Sequence, residues 1–267
     1  MKRRLLIAGL LAAGALDAQW LHYPTPGLPR LADGKANLKA PAPRAADGKP
    51  DFSGLWLQEH DRPCPPGGCA DFQASEQFYD MGYGMPGGLP YQPWAAEIVK
   101  KRTASNGLND PDTLCVPHGI IKAHTVDLLR KMIQVPGLLA ILNERNASYR
   151  QIFTDGRALP ADMLPTWNGY STGRWEGDTL VVRTEGFRDG MWLDRNGTPM
   201  SDAAKITEKF RRPNFGTLEV EVTVDDPKVF TKPWATTLRQ TLQPDTELLD
   251  YICLENEKDI PHLFDKK

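Results

Sequence analysis

The chain has 267 residues, a formal charge of −2 at pH 7, 23 Gly, 23 Pro and 4 Cys. Without a basic stripe it lacks the clustered Lys and Arg that phosphate contacts need, so nucleic-acid binding is excluded. After the first residues no apolar run reaches transmembrane length, and a chain of this size suits one large all-β unit or two small domains.

Residues 1–18 read as a signal peptide. Lys2, Arg3 and Arg4 precede an apolar run from Leu5 to Leu16 that is too short to span a bilayer. Cleavage is expected after Ala18, with Ala15 as the alternative, which places the mature protein in the periplasm or outside the cell. Removing Lys2, Arg3, Arg4 and Asp17 moves the charge from −2 to −4. Residues 19–52 are rich in Pro and Gly and read as an extended arm with Asp-Gly turns. Arg30-Leu-Ala-Asp-Gly-Lys-Ala-Asn-Leu38 returns there as Arg44-Ala-Ala-Asp-Gly-Lys-Pro-Asp-Phe52.

A single domain is expected over 53–257, interrupted by a loop and helix insertion at 59–137 and followed by a tail at 258–267. Phe52–Gln58 is the first strand. Pro93–Thr103, with Pro near its start and apolar residues at helical spacing, is a helix. From Leu138 onward four hairpins follow: Leu138–Glu144 with Ser148–Thr154, Tyr170–Trp175 with Thr179–Thr184, Lys205–Arg212 with Thr217–Val224, and Pro233–Leu242 with Glu247–Leu254. Alternation supports them; Leu218, Val220, Val222 and Val224 share one face. The absence of a βαβ rhythm argues for a closed, mostly antiparallel barrel, with a β-sandwich as the alternative.

Four cysteines in an exported chain read as disulfides. Cys64-Pro-Pro-Gly-Gly-Cys69 closes a short loop, which leaves Cys115 for Cys253, a bridge contributing about 4 kcal/mol in the chain-entropy model. The rival is a metal site on Cys115-Val-Pro-His118 with His124 nearby. The exported context favours the bridge, and no metal or cofactor is expected.

Gly54-Leu-Trp56 at the start of a meander resembles the G-x-W opening of lipocalin-like barrels. That resemblance implies an up-and-down barrel over an apolar cavity, and a late arginine packed near the tryptophan, for which Arg239 is the candidate. The 59–137 insertion departs from that pattern. The stretches Tyr149–Arg157 and Trp167–Val182 and the ending Cys253-Leu-Glu-Asn256 also resemble a family of exported proteins of environmental bacteria, a likeness that carries no activity with it.

The H-E-x-x-H motif and the P-loop are absent from the sequence. Glu208 shares a strand face with Ile206 and Phe210 and should point inward, where burial would raise its pKa and suit a general acid or ligand anchor; the alternatives are a structural pair with an arginine, or a register that puts it outside. Arg150 and Arg174 could form a cationic fork to it or to an anionic ligand. Trp167, Tyr170, Trp192 and Trp234 cluster near the expected strand ends, where they either pack in the core or rim or line a mouth that stacks a ring or sugar. His118 titrates in the range of an acid or base. The leading expectation is an exported barrel that binds a small, partly apolar or aromatic molecule. The alternatives are a lyase, isomerase or hydrolase using Glu208 or His118 with an arginine, and an envelope interaction protein using the 19–52 arm.

Overall fold

The computed structural model describes residues 23–59, 74–253, 255 and 258. The expected signal segment, the Cys64–Cys69 loop and nearly all of the tail lie outside these residues.

The arm holds two copies of one small loop. Arg30 bridges to Ala36 and Arg44 to Pro50, and each arginine donates to the carbonyl of the loop glycine, Gly34 at 3.0 Å and Gly48 at 2.8 Å. Each arginine also pairs with an aspartate of the barrel, Arg30 with Asp245 and Arg44 with Asp178, both at 2.7 Å. Exposed pairs of this kind contribute about 1 kcal/mol at most. Burial holds the arm more firmly. Phe52 is fully buried, stacked on Trp175 at 5.4 Å. Leu38 lies so close to Gly216 that a Cβ there would stand 2.4 Å from the leucine's own Cβ.

Strand β1 (Gly54–Gln58) opens the domain. Among its described residues the insertion carries three helices, α1 (Glu76–Tyr79), α2 (Pro93–Ala104) and α3 (Gly119–Lys122), with a 3-10 turn at Pro111–Leu114. Proline at N1 starts α2, and residues with positive φ at Asn106 and Gly107 follow its end. Then come β2 (Arg130–Val135), β3 (Leu138–Asn143), β4 (Tyr149–Phe153), β5 (Tyr170–Glu176) and β6 (Thr179–Glu185). A two-residue ladder of β7 (Met191–Trp192) and β8 (Pro199–Met200) precedes β9 (Lys205–Asn214), β10 (Thr217–Asp225) and β11 (Trp234–Leu242).

Nine of these strands close a barrel in the order β1-β11-β10-β9-β6-β5-β4-β3-β2. The chain is mostly β and the sandwich alternative falls. Two strands differ from the sequence reading. The described residues 247–253 form no strand, Tyr251 making an isolated bridge to Arg145; β1 occupies that edge of β11, with Trp56 opposite Leu242 and Gln58 opposite Gln240. The ninth strand is instead β2, from within the expected insertion.

A ring of nine strands cannot alternate direction all the way round, so one neighbouring pair must run parallel. That pair is β4 and β5, joined by only two residue pairs, Ile152 with Ser171 and Phe153 with Thr172. The connection 154–169 supplies the crossover of about a dozen residues or more that a parallel pair requires. Every other adjacent pair in the barrel is antiparallel.

One half of the interior is apolar. Trp56, Met132, Leu139, Ile152, Leu180, Phe210 and Leu218 are all buried there, each side chain of this size contributing roughly 1.5–3 kcal/mol over its exposed state. Gly54 sits at φ +144, which L side chains rarely adopt, and a Cβ there would also push on Leu242 Cδ1, 2.6 Å away. Trp56 donates its indole N–H to Phe52 O at 2.9 Å and is covered by a guanidinium 4.8 Å from its ring centre. That arginine is Arg212, next to the core on β9. Arg239 faces outward toward Glu219, so the expected pairing of Trp56 with Arg239 is corrected. The other half of the interior is polar, and the insertion plugs it: Ile120, Ile121, Lys122 and His124 are buried.

Among the described residues, no helix is long and apolar enough to cross a membrane. Cys115 and Cys253 form a disulfide with Cα atoms 5.7 Å apart.

Candidate functional site

Glu208 lies on the inner face of β9 and is fully buried. Arg150, on β4, grips both its oxygens, donating through Nη1 to Oε1 at 3.0 Å and through Nη2 to Oε2. The same guanidinium donates to Ser171 Oγ at 3.1 Å and Thr184 Oγ1 at 2.9 Å. His124 reaches the same carboxylate, with Nε2 3.1 Å from Oε1. On the other side of the ring, Nδ1 lies 2.7 Å from Arg130 Nη1 and 2.6 Å from Gln240 Nε2. Both of those partners are donors, which fixes the neutral tautomer: Nδ1 accepts and Nε2–H donates to Glu208.

Burial pushes the Glu208 carboxyl up, but the charge of Arg150 and the hydrogen bonds from His124 and Arg150 outweigh it and hold the group at about 2. The raised pKa expected from the sequence is therefore reversed, because Arg150, one of the two arginines expected beside it, and His124, which was given no role there, outweigh burial. Glu208 is ionised and fully engaged at neutral pH. Burial, then the charge of Arg130, lowers His124 to about 4 against the pull of Glu208.

Arg130 sits opposite Asn143 in the β2–β3 ladder and is 2 % exposed. Burial lowers it to about 9, opposed by Glu208 and assisted by Arg150. It remains a cation at neutral pH. Its Nε and Nη2 have no hydrogen-bond partner among the described residues, and neither has the buried Oδ1 of Asn143. Both side chains line a cavity of about 10 Å³, together with His124, Arg150 and Asn168.

Outside this cluster, at the β4–β5 seam, lies an open groove of about 560 Å³. Tyr149, Phe153, Trp167 and Tyr170 supply its aromatic lining, with Arg150 and Asn168 also at its surface. Phe153 stacks on Tyr170 at 5.3 Å, and Tyr149 is 64 % exposed. Asn168 reaches across the seam, its Nδ2 donating to Tyr149 O at 3.1 Å. The groove exists because the two-pair ladder leaves most of the seam without cross-strand bonds.

His118 adjoins the groove. A cavity of about 20 Å³ lined by His118 shares Pro117, Asn146, Ser148 and Asn168 with it. His118 Nδ1 stands 2.9 Å from Asp112 Oδ2, off the axis of a straight hydrogen bond, and its buried Nε2 has no partner among the described residues. Burial lowers the His118 pKa against the attraction of Asp112. Burial would raise Asp112, but His118 and Lys122 together hold it far below the usual carboxylate range.

The remaining sequence candidates lie elsewhere. Arg174 is on the outer face, paired with Glu176, and does not meet Glu208. Trp192 is buried in β7 with Arg102 4.4 Å over its ring. Trp234 is buried against Phe230, with ring centres 5.5 Å apart. Only Trp167 and Tyr170 of the expected mouth meet Arg150. Conversely, the sequence reading gave no role to Arg130, Asn143 or Gln240, and saw His124 only as a neighbour of His118. The available signal was the alternation of Arg130, Met132 and Gln134, which is inverted: Ile133 and Val135 face outward, 40 % and 47 % exposed.

Among the described residues, no group of three or more His, Cys, Asp or Glu is placed to hold a metal ion. Compared with models of known protein families, the chain matches none, and a comparison with curated proteins likewise gives no match.

Proposed function

We propose that the protein binds a small, partly aromatic molecule in the groove at the β4–β5 seam. The observation that carries this reading is a concave surface of about 560 Å³ lined by four aromatic side chains over a buried arginine. Its size falls in the range of about 300–1,000 Å³ common to small-molecule sites, and such sites are mostly apolar with a few fixed polar groups. The barrel interior is packed with side chains, so the ligand is assigned to the wall rather than to the internal cavity that the lipocalin likeness implies. Export to the periplasm or beyond belongs to the same reading, supported by the Cys115–Cys253 bridge.

Isothermal titration with 2-naphthamide, a neutral bicyclic aromatic, tests this. Removing two stacking rings in Tyr149→Ala/Trp167→Ala should weaken binding about tenfold, at roughly 0.5–1.5 kcal/mol for each ring pair. Unchanged affinity in the double variant sinks the groove assignment.

A second reading is favoured by one observation, the unpartnered Nε2 of His118 beside the groove. Asp112 stands near Nδ1 and would stabilise the charged ring, leaving Nε2 to take a proton, as a general base, from a water or substrate group that enters the adjoining small cavity. Hydrolysis of a p-nitrophenyl ester that levels off above a pKa below 6.5, and is lost in His118→Gln, would support an enzyme. Equal rates in the two proteins would remove it.

A further inference from the structure

We infer that the molecule bound in the groove carries a carboxylate, and that one oxygen of this group enters the small cavity beside Arg130. The inference rests on the groove reading above and names the chemical class of its ligand.

The argument begins with charge. Among the described residues, the charged groups acting on one another in this cluster are two guanidinium cations, Arg130 and Arg150, and one carboxylate, Glu208, beside a neutral His124; the buried Lys122 is paired separately with Asp110 and Asp112. Arg150 takes both oxygens of Glu208. Arg130 touches the carboxylate only through the imidazole of His124, by way of its Nη1. One positive charge is therefore buried without a direct counterion, an arrangement that is costly unless something compensates it. Water could satisfy the hydrogen bonds of Arg130 but not its charge.

The second step is geometry. Nε and Nη2 of Arg130 are the two free donors, and together they form one edge of the guanidinium, which is the edge that fits an oxyanion. The cavity that Arg130 lines measures about 10 Å³, space for about one water-sized group. A carboxylate can present a single oxygen to such a space; a phosphate or sulfonate, with its crowded tetrahedral centre, fits less readily. Arg150 and Asn168 line both this cavity and the aromatic groove. An aromatic acid lying in the groove thus has its carboxylate directed at the wall where the uncompensated cation lies. Asn143 Oδ1 is the remaining unpaired acceptor there, so the cavity also suits the protonated oxygen of a carboxylic acid as it enters.

The test compares 2-naphthoate with 2-naphthamide, which share shape and aromatic body and differ in charge. The folded protein should bind naphthoate at least about tenfold more tightly, and Arg130→Met should bring the two constants within a factor of two. If both compounds bind equally well to the unaltered protein, the carboxylate assignment is wrong and the groove reading stands. If neither binds, both fall.

Asn143→Asp gives an independent arm that keeps Arg130 in place. It places a carboxylate of nearly the same shape opposite Arg130 and supplies the missing charge from within. It should raise the melting temperature and abolish the preference for naphthoate. A lower melting temperature, or a preference left intact, overturns the inference.

Discussion

Arg150 and His124 bind the carboxylate of Glu208, with Arg130 behind the histidine, and removing that carboxylate should be among the most damaging single changes in the chain. Glu208→Gln leaves Arg150 and Arg130 without any negative partner, a situation that typically costs about 3–5 kcal/mol. Urea unfolding followed by circular dichroism should show that loss as a lower midpoint with an unchanged slope. The pH dependence follows from the same residues. His124 binds a proton near 6.5 when unfolded but only near 4 when folded. Its contribution is complete above 6.5 and disappears as the pH falls toward 4. Glu208 moves from 4.5 to about 2, so its contribution is complete above 4.5 and is lost as the pH falls toward 2. His118, also lowered by burial, acts with the same sign as His124. Stability should therefore decline in two stages on acidification, and His124→Gln should shrink the first stage without removing it. A pH profile of unfolding midpoints for both proteins checks this. The inward direction of Glu208 could be read from its spacing with Ile206 and Phe210. The sign of its pKa shift could not, since His124 and Arg150 come from segments far away in the chain.

Strand β2 illustrates what hides an element in a sequence. Its inward positions are Arg130, Met132 and Gln134, while its outward ones include Ile133 and Val135. Alternation is present with its polarity reversed, and reversed alternation looks like a loop with scattered apolar residues. Gln134 has a structural use for its position: its amide donates to Pro50 O at 3.0 Å and accepts from Phe52 N at 3.0 Å, tying the arm to the barrel. Segment 247–254 errs in the opposite direction. It carries the apolar residues of a strand but no free ladder, because β1 already borders β11. Within the barrel, β4–β5 is the ladder with the fewest residue pairs. In hydrogen exchange, amides in 149–153 and 166–172 should exchange well before those in 205–224, where β9 and β10 pair along almost their whole length. Equal protection in both regions would contradict the seam.

At the scale of the molecule, the barrel depends on contacts between distant parts of the chain. Cys115 and Cys253 are separated by 138 residues, and a bridge over such a loop contributes about 4 kcal/mol. Calorimetry of Cys115→Ser/Cys253→Ser should show a melting temperature lower by several degrees. The loss should also loosen the turn after β3, where Asn146 accepts from Cys253 N at 3.0 Å. The barrel and its closing cysteines were legible because period-two patterning and residue type are local signals. The site was less so, since it draws on β2, β4, β9, β11 and the plug after α3, a convergence that spacing along one strand cannot reveal.

The slit in the barrel wall has no single author among the side chains. With eight or ten staves, neighbours would alternate up and down without interruption, and full ladders would zip the wall shut. A variant or relative that gained or lost one stave should have no opening there, however many aromatic residues it kept. By the same logic, point changes in the lining can weaken what the slit holds but cannot seal it.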